Sequence, residues 1–204
     1  MTPLPIVFIT GASSGIGATY AERFARRGHD LVLVARNKSR LDALAMRLRE
    51  QHQIAVEVLQ ADLTNSAELP ALETRLRHDA RIGILINNAG MPQSGHFLEQ
   101  SPEAIESQIA LNITALTRLA AAIAPRLAQS GTGSIVNIGS VVGFSPEFGI
   151  SLYGATKAYV LFLSQGLAHE LSPQGVYVQA VLPAATRTEI WAHAGVDVNT
   201  LPEV

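Results

Sequence analysis

The chain has 204 residues and a mass of 21.7 kDa, room for one domain with a sizeable core and hardly for two. Hydrophobic residues make up 48% and charged residues 16%, with a mean hydropathy of +0.21, which excludes a disordered tail or a highly charged scaffold. A net charge of −2 and a pI near 6.3, without a basic block, argue against a nucleic-acid partner.

With no cysteine there is no disulfide, thiolate metal site or Cys nucleophile, and the six histidines lack ligand spacing, so no metal is expected. The first residues do not read as a signal peptide, and the apolar runs are interrupted well short of the roughly 20 residues that span a bilayer. The expectation is a soluble, cytoplasmic protein with no membrane partner.

Short aliphatic and β-branched runs recur at 6–10, 31–35, 55–60, 82–87, 134–138 and 177–182. They are almost continuously apolar, the pattern of strands covered on both faces of a parallel sheet. Between them lie helical patterns at 15–27, 39–51, 66–79, 101–128 and 153–171. Ser101 before Pro102 predicts an N-cap with proline at the first helical position, and Asn65 with Glu68 predicts a start of the capping-box kind. The strand–helix rhythm predicts an α/β fold: one domain over 1–204 built on a doubly wound parallel sheet of the Rossmann type, with six strands in the order 3-2-1-4-5-6. No strand pattern follows Thr188, and the chain reads as cut short after its sixth strand.

After the first run comes Thr10-Gly11-Ala12-Ser13-Ser14-Gly15-Ile16-Gly17, opening a helix. Its glycines let the backbone turn tightly and approach a pyrophosphate, whose charge meets the N–H groups and positive dipole end of the helix. The second run ends in Val34-Ala35-Arg36-Asn37, with no acid to hold a ribose 2′-hydroxyl. Arg36 is placed to meet a 2′-phosphate, which points to NADP(H) over NAD(H).

Tyr153 and Lys157 lie four residues apart, on one face of a helix. A free phenol titrates near pH 10, and a lysine cation at ~4 Å in an effective dielectric of ~20 favours tyrosinate by ~4 kcal/mol. Ser140, ending the fifth run, is placed to donate a hydrogen bond to the same substrate oxygen. Ser140, Tyr153 and Lys157 are therefore the candidate catalytic residues.

Together these features resemble the short-chain dehydrogenase/reductase family in its compact single-domain branch, over about residues 6–190. The resemblance implies that Gly11, Ser13, Ser14, Gly15, Ile16 and Gly17 hold the cofactor's phosphates, with Asp62 and Leu63 at its adenine. It also implies that Asn88, Ala89 and Gly90 stabilise the sheet beside the cofactor, and that Pro183, Thr186 and Thr188 flank the nicotinamide. Asn112 matches a helix asparagine that holds a water and completes the catalytic set; Tyr153 and Lys157 reach the cofactor too, Lys157 through the nicotinamide ribose. Ala184 stands where the family usually has glycine.

The implied activity is hydride transfer between NADP(H) and a carbonyl or secondary alcohol of a small-molecule substrate, with Phe144, Phe148 and Trp191 suggesting an apolar site. The family's pairing through its fourth and fifth helices implies a homodimer or homotetramer, with Leu116 to Leu127 as core and seam. A catalytically silent NADP(H)-sensing regulator is the alternative, opposed by the intact Ser140, Tyr153 and Lys157.

Overall fold

The computed structural model describes residues 3–92 and 96–184. Strands β1 (Ile6–Thr10), β2 (Leu31–Ala35), β3 (Val56–Gln60), β4 (Ile82–Asn87), β5 (Gly133–Ile138) and β6 (Val176–Val181) form one sheet in the order β3-β2-β1-β4-β5-β6, parallel throughout. This is the predicted order. The alternation of β1 divides the core: Ile6 and Phe8 face one layer with Leu72, Leu76, Leu119 and Ile123, while Val7 and Ile9 face the other with Ala21, Leu41 and Leu48. Each fully buried aliphatic or aromatic side chain of this kind contributes about 1.5–3 kcal/mol.

Helices α1 (Gly15–Ala25) and α2 (Lys38–His52) cover one face. Helices α3 (Leu69–His78), α4 (Pro102–Ile109), α5 (Leu116–Ser130) and α6 (Ser151–Leu171) follow the later strands, and α3 and α5 pack on the opposite face. The edge strands depart from the continuous burial expected of them. In β6, exposed Tyr177 and Gln179 alternate with buried Val176 and Val178, and β3 buries only Val56.

Ser101 caps α4 as predicted, accepting a hydrogen bond from Ala104 N at 3.2 Å, with Pro102 first in the helix. Helix α3 starts three residues later than predicted. Pro70 has no N–H to give the Ser66 carbonyl, so a helix cannot run from 66 through it. Asn65 accepts from Ala67 N and donates to Glu68 Oε1 in a local turn instead of capping the helix. The single helix expected at 101–128 is interrupted by a π-helical turn, Ala110–Ala115, which contains Asn112.

By length and composition Pro102–Ser130 reaches the size of a membrane span, which the interrupted apolar runs do not suggest. Its apolar side, however, is packed in the core through Leu116, Leu119, Ala120, Ile123 and Leu127. The core part of the expectation for Leu116 to Leu127 is borne out.

Candidate active site

The sheet order reverses between β1 and β4, so the loops leaving their carboxyl ends diverge and open a crevice. The described candidate residues gather along this edge of the sheet: the glycine turn after β1, Arg36 after β2, Asp62 after β3, Asn88 to Gly90 after β4, Ser140 after β5 and Pro183 after β6.

In the glycine turn Gly11 and Gly15 take φ of 62° and 53°, a region that favours residues without a Cβ. Gly17 lies flush on the turn: a Cβ there would meet the Gly11 carbonyl, and stand 2.5 Å from Asn88 Nδ2. Asn88 does not point at a ligand. Its Nδ2 donates to Thr10 O at 3.0 Å and Gly11 O at 3.1 Å, while Thr10 Oγ1 accepts from Asn88 N and Ala89 N, both at 3.0 Å. The two loops at the crevice are thereby tied together.

Ser14 precedes α1 in extended conformation without a side-chain cap, and no acid lies in the first turn. The leading N–H groups of the helix and its positive dipole end are thus left for an anion, and Ser13, Ser14 and Ile16 lie around them as partly buried residues. This turn fits a dinucleotide pyrophosphate.

Arg36 is exposed, and its guanidinium makes no hydrogen bond or ion pair with the described residues. Asn37, at the entrance to α2, caps that helix by accepting from Arg40 N at 3.0 Å. Burial pushes the Asp62 carboxyl up, but hydrogen bonds from the Thr64 N–H and hydroxyl, together with the Arg36 charge, hold it below the usual carboxylate range. An ionised Asp62 beside Arg36 suits the adenosine end of a cofactor. Leu63 has its side chain buried in the core.

The candidate catalytic residues gather at the start of α6. The Ser140 hydroxyl is hydrogen-bonded to the Tyr153 phenol, accepts from Val142 N at 3.4 Å and reaches the Pro183 carbonyl at 3.5 Å. Lys157 is buried and donates from Nζ to the Ile138 carbonyl at 2.9 Å. A Cβ on Gly90 would stand 3.5 Å from that Nζ and 3.4 Å from Asn112 Oδ1, so the glycine keeps the lysine and asparagine within reach of one small space.

The electrostatics correct the sequence reading. Burial pushes the Tyr153 phenol up to about 12 against the opposing hydrogen bond from Ser140, and burial alone pulls the Lys157 ammonium down to about 8. Lys157 does not lower the phenol in this arrangement. Nζ lies 5.5 Å from the ring centroid and gives its hydrogen bond to the backbone, and dehydration of both groups outweighs their attraction.

Asn112 is buried, and its amide is largely committed: Oδ1 accepts from Met91 N at 2.9 Å, and Nδ2 donates to Met91 O at 3.0 Å and Thr156 Oγ1 at 3.1 Å. One Oδ1 lone pair is left for a water. Thr156 escapes a reading of the sequence, since a threonine between two candidate catalytic positions carries no pattern of its own. Thr10 enters that reading only as the first residue of the glycine motif. Phe144 and Phe148 are exposed on the loop between β5 and α6, and the His96 ring packs beside Gly149 of that loop. Thr186, Thr188 and Trp191 lie outside the described residues.

The short chain dehydrogenase family model matches residues 5–198. The chain is 78% identical to a short-chain dehydrogenase from Sphingobium yanoikuyae solved in complex with NADPH, with a TM-score of 0.97 over 98% of this chain and 78% of that one. It is 65% identical to the bulky-bulky ketone specific alcohol dehydrogenase from Comamonas testosteroni, with a TM-score of 0.92 over 100% of this chain and 78% of that one. Among curated relatives it is 36% identical to an uncharacterized oxidoreductase of Staphylococcus saprophyticus, over 91% of this chain and 80% of that one. It is 33% identical to a very-long-chain 3-oxoacyl-CoA reductase of Danio rerio, over 89% of this chain, and spans 60% of that relative's length. With this family match, the parallel sheet in the order 3-2-1-4-5-6 and the glycine turn at its crevice agree on one assignment, and the chain belongs to the short-chain dehydrogenase family.

Proposed function

We propose that the chain reduces ketones carrying a bulky group on each side of the carbonyl, with NADPH as hydride donor, and oxidises the corresponding secondary alcohols in reverse. The observation that carries this reading is the Ser140–Tyr153 hydrogen bond beside buried Lys157, next to an uncapped α1 amino terminus. The NADPH complex of the Sphingobium protein and the substrate named for the Comamonas enzyme support the cofactor and substrate class. Exposed Phe144 and Phe148 supply apolar surface for such substituents.

When bound, the cofactor supplies the hydride that reaches the carbonyl carbon. The α1 amino terminus would hold its pyrophosphate, Arg36 its 2′-phosphate and Lys157 its nicotinamide ribose. Ser140 donates a hydrogen bond to the substrate oxygen and fixes it against Tyr153. Tyr153 delivers the proton that completes the alcohol. A phenol near 12 stays protonated at neutral pH, and it remains a stronger acid than the aliphatic alcohol it creates, so the transfer runs downhill. Asn112, through a water on its remaining lone pair, and Lys157 return a proton to the phenolate.

An apolar stripe formed by Ile109 of α4 and Tyr159 and Phe162 of α6 remains exposed, Phe162 by 81%. Tyr159 Oη is joined to Thr117 Oγ1 at 3.0 Å, which ties α6 to the start of α5. A homodimer formed through this surface is part of the proposal.

The test is NADPH consumption with diaryl and aryl-alkyl ketones against simple methyl ketones, with Tyr153→Phe alongside. Turnover of the bulky ketones, lost by roughly a hundredfold to ten-thousandfold in the variant with NADPH binding intact, is the expected result. Near-normal turnover by Tyr153→Phe overturns the assignment of the acid.

A further inference from the structure

Thr156 is fully buried, and both sides of its hydroxyl are engaged. Oγ1 donates to the Tyr153 carbonyl at 2.8 Å and accepts from Asn112 Nδ2 at 3.1 Å. Because the hydroxyl has one proton and the Tyr153 carbonyl takes it, the remaining lone pairs are directed at the asparagine. Asn112 in turn holds both the N–H and the carbonyl of Met91. One residue further back is Gly90, whose absent side chain leaves room for Lys157 Nζ. A continuous chain of hydrogen bonds thus runs from the loop after β4, through the π-helical turn, to the first turn of α6. It joins the three segments that carry the cofactor-facing glycine, Asn112 and Tyr153.

The π-helical turn gives this chain its purpose. A π turn adds a residue to one turn of helix and is less favourable than regular helix unless something holds it. Asn112 lies within that turn with its amide bonded to Met91 on one side, and the only described side chain that ties the amide to α6 is Thr156. Tyr153 lies in the first turn of α6, whose leading N–H groups have no acceptor in a preceding turn, so side-chain contacts hold that turn in place.

We propose that Thr156 is a positioning residue for the proton donor: its hydroxyl locks the first turn of α6 to Asn112 and so holds the Tyr153 phenol against Ser140 and beside Lys157. The proposal rests on the reading of Tyr153 as the acid. Thr156 touches neither substrate nor cofactor in this role and acts through Asn112 and Tyr153.

The experiment compares Thr156→Val, which keeps the shape of the side chain and removes the hydroxyl, with Thr156→Ser, which keeps the hydroxyl and removes the methyl. In Thr156→Val kcat is expected to fall at least tenfold while the NADPH Kd changes by less than threefold. The apparent pKa governing kcat is expected to rise by half a unit or more, because a phenol freed to drift from Ser140 loses the hydrogen bond that opposes the effect of burial. Thr156→Ser restores both the rate and the pH profile. Thr156→Ala serves if the valine variant does not fold, and the same losses are expected of it.

A folded Thr156→Val or Thr156→Ala enzyme with kcat within twofold and an unmoved pH profile overturns the proposal. So does a loss that Thr156→Ser fails to restore, which assigns the residue to packing alone. Tyr153→Phe measured in parallel separates the two ideas. If it is inactive while Thr156→Val is normal, only the positioning role fails; if it is active, the reading of the acid fails.

Discussion

The Nζ of Lys157 lies 5.5 Å from the centroid of the Tyr153 ring, one helical turn away, yet its hydrogen bond goes to the Ile138 carbonyl at 2.9 Å. The pair shares a dry space without sharing a proton. Each group is therefore displaced toward its neutral form, the phenol upward to about 12 and the amine downward to about 8.

That displacement makes stability depend on pH. Between about 8 and 10.5 the unfolded chain holds a proton on Lys157 that the folded chain has released, so stability rises with pH across this window. Above 10 the sign reverses for Tyr153, because the folded chain keeps a proton the unfolded chain loses. Urea denaturation of the enzyme and of Lys157→Met from pH 7 to 10 isolates the lysine. The stability difference between them should shift in the variant's favour as pH falls through the window, by up to roughly 3 kcal/mol, and level off below about 8. Parallel curves would place the amine near its ordinary value and show that burial does not dehydrate it.

The Arg36 guanidinium has no hydrogen-bond or ion-pair partner among the described residues, though its charge acts on Asp62. If it receives the 2′-phosphate, Arg36→Ala weakens NADPH by roughly tenfold to a hundredfold, the contribution of a charge-assisted hydrogen bond, and leaves NADH unchanged. Fluorescence titration with the two nucleotides reads this directly. Equal losses for both would mean that Arg36 acts on the shape of the β2 loop and not on the phosphate.

The strand order was legible because burial on both faces leaves continuous apolar runs, and the site residues were legible because their spacing places them at strand ends and on one helical face. What escaped the sequence depends on the third dimension. Nothing in Ala110-Leu111-Asn112-Ile113-Thr114-Ala115 announces a π-helical turn. Leu63, beside Asp62, turns into the core because the turn after β3 directs alternate residues to opposite sides. The sign of the Tyr153 shift could not be read from a four-residue spacing, since it is set by how much water the fold removes and where the ammonium finds its acceptor.

Thr10 joins the two loops of the crevice by accepting from Asn88 N and Ala89 N and donating to Ile86 O at 3.4 Å. Thr10→Val keeps the volume and strands two N–H groups, each at about 1–3 kcal/mol if water does not reach it. The expected result is a loss of roughly 2 kcal/mol or more in chemical denaturation, with weaker NADPH binding because Asn88 no longer holds the glycine turn. Thr10→Ser should recover most of both. A valine variant of undiminished stability would show that water satisfies the freed donors.

Gly143 brings the turn Val141–Phe144 flat against α6 beside Lys157. A Cβ on it would stand 2.9 Å from Ala158 N and 3.0 Å from the Lys157 carbonyl carbon, both backbone atoms of a helix that cannot yield. In Gly143→Ala the turn must move outward instead, and it carries with it Ser140, which caps that turn. Overpacking of this kind costs about 1–3 kcal/mol, and drawing the hydroxyl away from the phenol should lower kcat at least tenfold, in the direction of the losses seen when one oxyanion donor is removed. The glycine turn after β1 lies on another strand, so NADPH affinity should stay within about twofold, and the damage should fall on kcat. A variant that lost nucleotide binding and kept its turnover number would place Gly143 in the cofactor site and contradict the geometry that sets Ser140 against Tyr153.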